Sequence, residues 1–129
     1  MDPTNTPISD GSAVVEERTY VLHTGSSLRD YLSTYERLGL PVQLRILEGF
    51  LGYFVTEFGT QNQLVHLWTY SDLEDRRRRR ALLAKDPQWL ECLSIIRPMI
   101  ATMENRIMYP TRFSPLPDSL RANASTTKR

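Results

Sequence analysis

The sequence predicts an α+β fold: a four-stranded antiparallel sheet in ferredoxin-like βαββαβ order, with its helices on one side. Three observations predict it. The stretch Gly52–Tyr70 reads as two strands rich in aromatic and β-branched residues, joined by a Gly59-Thr60-Gln61-Asn62 turn. Segments with helical apolar spacing flank this hairpin on both sides, and beyond each of them lies a segment that alternates with period two. Strand, helix, strand, strand, helix, strand is the split β-α-β order, in which the first and last strands are neighbours.

Residues 1–13, with Pro3, Pro7, Gly11 and little to bury, read as a flexible leader, and 117–129 as a second loose tail, so the domain is expected over 14–116. Val14–His23 alternates as a strand, with Glu16, Arg18, Tyr20 and Leu22 on one face. Two charges in mid-strand demand partners. Ser26-Ser27 caps a helix whose apolar residues are Leu28, Tyr31, Leu32, Tyr35 and Leu38; Gly39-Leu40-Pro41 is expected to interrupt it before a short helical return over 42–47. The hairpin strands are placed at Phe50–Phe58 and Gln63–Tyr70. Ser71–Asp75 opens a second helix, with acidic residues in the turn where the helix dipole favours them. Asp86-Pro87 starts a third, in which Trp89, Leu90, Leu93, Ile96 and Ile100 are the expected buried stripe and Pro98 the expected fray or kink. Thr102–Tyr109 alternates again and reads as the last strand. If it lies beside the first, Arg18 is expected to meet Glu104 and Glu16 to meet Arg106, as a structural charge network.

Composition narrows the function. The 129 residues suit one domain with a modest core, and 16 basic against 15 acidic residues give a net charge of +1. No global field therefore argues for nucleic acid or an anionic membrane. The run Arg76–Arg80 spreads around a helix rather than forming a basic stripe. The lone Cys92 excludes an internal disulfide and fits a reducing compartment, while His23 and His66 are too few for a metal site. A polar start and the lack of any apolar run of about 20 residues lead to the expectation of a cytoplasmic protein without a membrane span. Helices on one side leave the other sheet face uncovered, and a second copy of the chain is the expected cover, giving a homodimer.

The chain resembles bacterial members of the NIPSNAP family. The resemblance rests on Glu16-Glu17-Arg18-Thr19-Tyr20 with Gly25, on Gly52-Tyr53-Phe54 with Glu57-Phe58-Gly59, and on Asn62 through Tyr70. It continues through Arg76, Arg79 and Arg80, Asp86-Pro87-Gln88-Trp89, and Glu104-Asn105-Arg106-Ile107-Met108. His23-Thr24-Gly25 departs from it, standing where a proline commonly precedes the glycine. The resemblance implies a dimeric α+β barrel whose ligand cavity lies between a subunit's sheet and its own helices. Its wider relatives include cofactor-free monooxygenases, lactone isomerases and haem-degrading enzymes; no cofactor is expected for this chain, although haem on His66 stays open as a minor alternative.

Within that frame His66 is the candidate for proton transfer, because it lies mid-strand, shares a face with Trp68 and Tyr70, and titrates near neutrality. A satisfied structural histidine is the competing reading. Tyr53, Trp68 and Tyr70 are candidates for stacking on an aromatic ligand, against the alternative of core filling. Arg76 and Arg80 share a helix face with Leu73 and Leu83 and are candidates for holding an acidic group, or for pairing with Glu57. Glu57 itself is a candidate ligand group or a turn acceptor. Two functions follow as expectations: binding of a small aromatic or acidic molecule, with cofactor-free oxygenation or isomerisation if it is an enzyme, or a non-catalytic scaffold working through its dimer surface.

Overall fold

The hairpin forms as its residues dictate, and the other strands assemble on it. The computed structural model describes residues 13–116; the predicted leader, apart from Ala13, and the predicted tail lie outside the described residues. The strands are β1 (Val14–Leu22), β2 (Phe50–Val55), β3 (Gln63–Tyr70) and β4 (Ile100–Met108), in the order β2-β3-β1-β4 with every pair antiparallel. This is the ferredoxin-like arrangement expected, with the first and last strands side by side. Gly59 (φ 116°) and Asn62 (φ 57°) supply the left-handed backbone of the hairpin loop, which only glycine or a short polar residue adopts readily. Strand β2 ends three residues earlier than expected, leaving Glu57 and Phe58 exposed in that loop.

Helices α1 (Leu28–Thr34) and α2 (Leu40–Ile46) are joined without a break through a π-helical turn over Tyr35–Gly39. The predicted interruption at Gly39-Leu40-Pro41 thus becomes a wide turn, with Pro41 at the start of α2 directly after it. Ser27 caps α1, Asp72 caps α3 (Leu73–Leu83) and Asp86 caps α4 (Pro87–Ile96), each accepting a hydrogen bond from the amide three residues on. Pro98 ends α4 in a single 3-10 turn, Arg97–Met99, before β4. In α4 the buried residues are Trp89, Cys92 and Ile96; Leu90, expected in that stripe, is half exposed, and Ile100 belongs to β4.

The core lies between the helices and one sheet face: Val14, Tyr20 and Leu22 of β1 and Leu64, Trp68 and Tyr70 of β3 pack against Tyr31, Tyr35, Val42, Leu83 and Ile96. Each fully buried aliphatic residue here contributes about 1.5–3 kcal/mol. Because Val14, Tyr20 and Leu22 must face the helices, period two carries Glu16 and Arg18 inward with them. The β1–β4 register sets Arg18 opposite Asn105, Thr19 opposite Glu104 and Glu17 opposite Arg106. The expected pairs Arg18–Glu104 and Glu16–Arg106 therefore do not form, since Glu104 and Arg106 lie on the outer face. Arg106 pairs instead with Glu17, its Nε donating to Oε1 at 2.8 Å. No described helix is long and apolar enough to cross a membrane.

Candidate functional site

A cavity of about 250 Å³ opens between the sheet and the helices. Its sheet wall carries Tyr20, Tyr53 and His66, its helical wall Tyr31, Tyr35 and Trp89, and its half-exposed or exposed residues Leu90, Arg97 and Met103 mark the side toward solvent. Tyr35 and Tyr53 also border a wider, more open groove of about 730 Å³ between α1 and β2.

His66 is the centre of the inner cavity. Strand β3 points it at the helices, and it is 2% exposed. Tyr53, its neighbour across the β2–β3 pair, stacks on the imidazole at 4.3 Å and 10°, and Tyr20 meets it edge-on at 4.9 Å. Two residues along β3, Trp68 donates its indole N–H to His66 Nδ1 at 2.7 Å. An indole only donates, so Nδ1 is the accepting nitrogen. The other nitrogen, Nε2, is buried without a hydrogen-bond partner. Burial, reinforced by the Arg18 charge, pushes the imidazole down to about 3, which keeps it neutral.

The tyrosines around it are tied by their hydroxyls. Tyr31 and Tyr53 oxygens lie 3.2 Å apart, Tyr35 donates to Gln43 Oε1, and Tyr20 accepts from Arg18 Nε at 2.8 Å. Burial raises Tyr31, Tyr35 and Tyr53 well above the usual phenol range, so none is an accessible phenolate.

Beside the cavity, Glu16 is fully buried and anchors a charge cluster. Arg76 reaches both of its oxygens, Nε at 3.1 Å and Nη2 at 2.9 Å; Arg18 Nη1 donates at 2.9 Å and Asn105 Nδ2 at 2.8 Å. Burial opposes the carboxylate, but the hydrogen bonds from Arg76 and Asn105 and the Arg18 charge hold it at about 2. The predicted network of Glu16, Arg18, Glu104 and Arg106 is thus replaced by Glu16, Arg18, Arg76 and Asn105. Arg80, one turn beyond Arg76, lines the cavity and has no ion-pair partner among the described residues. It lies beside the Tyr70 hydroxyl, which makes no hydrogen bond of regular geometry.

Of the residues singled out from the sequence, His66, Tyr53, Arg18 and Arg80 meet at the cavity. Arg76 is occupied by Glu16. Trp68, packed under Phe50 at 4.9 Å, supports His66 from below, and Tyr70 is core; neither borders the cavity. Glu57 lies in the exposed hairpin loop, where it neither faces the cavity nor pairs with Arg76 or Arg80. Sequence reasoning missed Tyr20, Tyr31, Tyr35, Gln43 and Trp89. The signal for three of them was present: Tyr31 and Tyr35 are four apart on the inner helix stripe and Tyr20 shares a face with Arg18, so several hydroxyls converge where a plain core would place phenylalanine.

A four-stranded antiparallel sheet backed by helices, with a tyrosine-lined hollow between them, defines an α+β chain of the ferredoxin-like class. The comparisons narrow that class. The sequence profile of the NIPSNAP family matches residues 15–115, and the chain belongs to that family. Protein NipSnap of Drosophila melanogaster is 30% identical over 105 residues, covering 81% of this chain and 37% of the fly protein. Protein NipSnap homolog 2 of Danio rerio is 31% identical over 113 residues, covering 87% and 38%. The chain thus spans well under half the length of these relatives. Among solved structures, a NIPSNAP family protein of unknown function from Agrobacterium tumefaciens superposes with a TM-score of 0.80 at 43% identity, covering 85% of this chain and 98% of that one. SnoaB, a cofactor-independent oxygenase from Streptomyces nogalater, shares the fold with a TM-score of 0.57 at 18% identity, covering 81% and 98%.

Proposed function

We propose that the chain binds a small planar aromatic or acidic molecule in the cavity between its sheet and helices, and that any turnover there is cofactor-free oxygenation or isomerisation. The observation that carries this reading is His66: a buried imidazole, fixed on one nitrogen by Trp68 and unsatisfied on the other, at a hollow walled by aromatic rings. A buried polar atom without a partner costs about 1–3 kcal/mol, a cost that a ligand oxygen at Nε2 removes. A cavity near 150 Å³ accommodates benzene, so 250 Å³ suits one substituted ring or a small bicycle. The likeness in fold to a cofactor-independent oxygenase supports the choice of chemistry by analogy of fold.

The test is calorimetric titration with a panel of aromatic acids and quinols, followed by oxygen-uptake assays on those that bind. Binding that His66→Phe abolishes, without loss of secondary structure, supports the reading; no binding across the panel, or binding untouched by that substitution, overturns it. The alternative is a scaffold acting through a dimer surface. It is favoured by the outer sheet face, where Val15, Val21, Val65 and Leu67 are half-buried and Phe54 is 55% exposed with none of the described helices over them.

A further inference from the structure

We infer that the cavity selects an organic anion, an aromatic carboxylate or enolate, and that His66 serves it as an Nε2–H donor rather than as a base. The inference rests on the proposed ligand cavity and deepens it. Trp68 requires a lone pair on Nδ1, so the single proton of a neutral imidazole resides on Nε2. A nitrogen that already carries a proton cannot accept one, and this recasts the proton-transfer role expected of His66. What it offers the cavity is a fixed, desolvated N–H dipole, the kind of group that stabilises an oxyanion.

The charges around it agree. Three guanidinium groups, Arg18, Arg80 and Arg97, line the cavity, and no carboxylate among the described residues does. Arg18 commits Nε to Tyr20 and Nη1 to Glu16, and Arg80 makes no ion pair among the described residues. The one carboxylate of the neighbourhood, Glu16, is turned away into four hydrogen bonds from Arg18, Arg76 and Asn105. The titratable groups around His66 and its cavity are therefore Glu16, Arg18 and Tyr20 from β1, Tyr53 from β2, Arg80 from α3, Tyr31 from α1, Tyr35 from the π-helical turn and Arg97 from the 3-10 turn. The two nearest cations disfavour an imidazolium and favour an incoming anion. The phenols of Tyr31 and Tyr53, bonded to each other, bound the ring of such a guest rather than its charge.

Trp68 is then a positioning residue: it touches no ligand and acts by choosing the tautomer of His66. Two measurements test the inference on the intact chain. Long-range proton–nitrogen NMR of the imidazole, without any ligand, is expected to show Nε2 protonated and Nδ1 bare, and Trp68→Phe to produce a mixture of tautomers. The second is titration with benzoate and its neutral analogue benzamide. The anion is expected to bind at least about tenfold tighter, with affinity flat from about pH 5 to about pH 8 because burial keeps the His66 imidazole neutral over that range. Arg80→Met is expected to erase most of the preference for the anion. A bare Nε2, an affinity for the anion that climbs as His66 protonates, or equal binding of the two probes overturns the inference. Failure of both probes to bind while the tautomer is as stated overturns the small-molecule reading of the cavity and leaves the locked imidazole standing.

Discussion

Replacing Glu16 by glutamine keeps the side chain's shape and removes its charge, so it isolates the electrostatics of the buried cluster. A carboxyl group held at about 2 instead of 4.5 gains about 3 kcal/mol over an unfolded glutamate, at about 1.4 kcal/mol per pH unit. Independently, removing one partner of a buried pair costs about 3–5 kcal/mol. Arg76 keeps 25% of its side chain in water and can turn outward, so the low end, about 3 kcal/mol, is expected at neutral pH. For a domain of about 100 residues each kcal/mol moves Tm by about 4–8 °C, so the melt falls by about 12 °C or more. The folded pKa lies below the unfolded one, hence the stabilisation is fully present above pH 4.5 and is lost as pH falls toward 2. Urea denaturation followed by circular dichroism across that range should show the native chain losing stability that the variant never had. Glu17→Gln serves as the control: its partner Arg106 is 71% exposed, and the change should stay within about 0.5 kcal/mol. A Glu16→Gln melt within about 2 °C of the native one, or an unaltered acid slope, refutes the reasoning.

Two further outcomes follow from packing and surface. At Gly49 an added Cβ would stand 1.9 Å from the Thr69 carbonyl oxygen, so Gly49→Ala must displace backbone and should cost about 2–3 kcal/mol, read as a lowered denaturation midpoint. On the outer sheet face Val65 sits between Thr19 and Phe54; if a second copy covers that face, Val65→Glu should turn a dimer into a folded monomer by light scattering. A native chain that is already monomeric at micromolar concentration would sink the dimer proposal.

The topology was legible because each element announces itself locally: period-two runs for the strands, Ser27, Asp72 and Asp86 as caps, and a Gly59–Asn62 turn. What alternation cannot fix is the phase between two strands that no short turn connects. β1 and β4 lie about 80 residues apart in sequence, and their pairing is set by which face each buries. Inverting that phase by one residue was enough to send Glu104 and Arg106 to the wrong side of the sheet. The cavity was half legible. His66, Tyr53 and Arg80 could be picked out by type and face, but the division of labour between Arg76 and Arg80 depends on a long-range partner, Glu16, that helix spacing does not reveal. Likewise the π-helical turn that swings Tyr35 toward Tyr53 leaves no mark beyond Gly39-Leu40-Pro41, which reads equally well as a break.

The Glu16 cluster draws on β1, α3 and β4, and its Asn105 contact closes a separation of 89 residues. Glu16 gains its Asn105 donor, and the cavity its Ile100 and Met103 wall, only after the final strand has docked beside the first. During synthesis the nascent chain can build its hairpin early, yet its pocket stays unfinished until nearly all of the domain has emerged from the ribosome. If the cavity takes the proposed guest, competence to hold it doubles as a report that folding is complete.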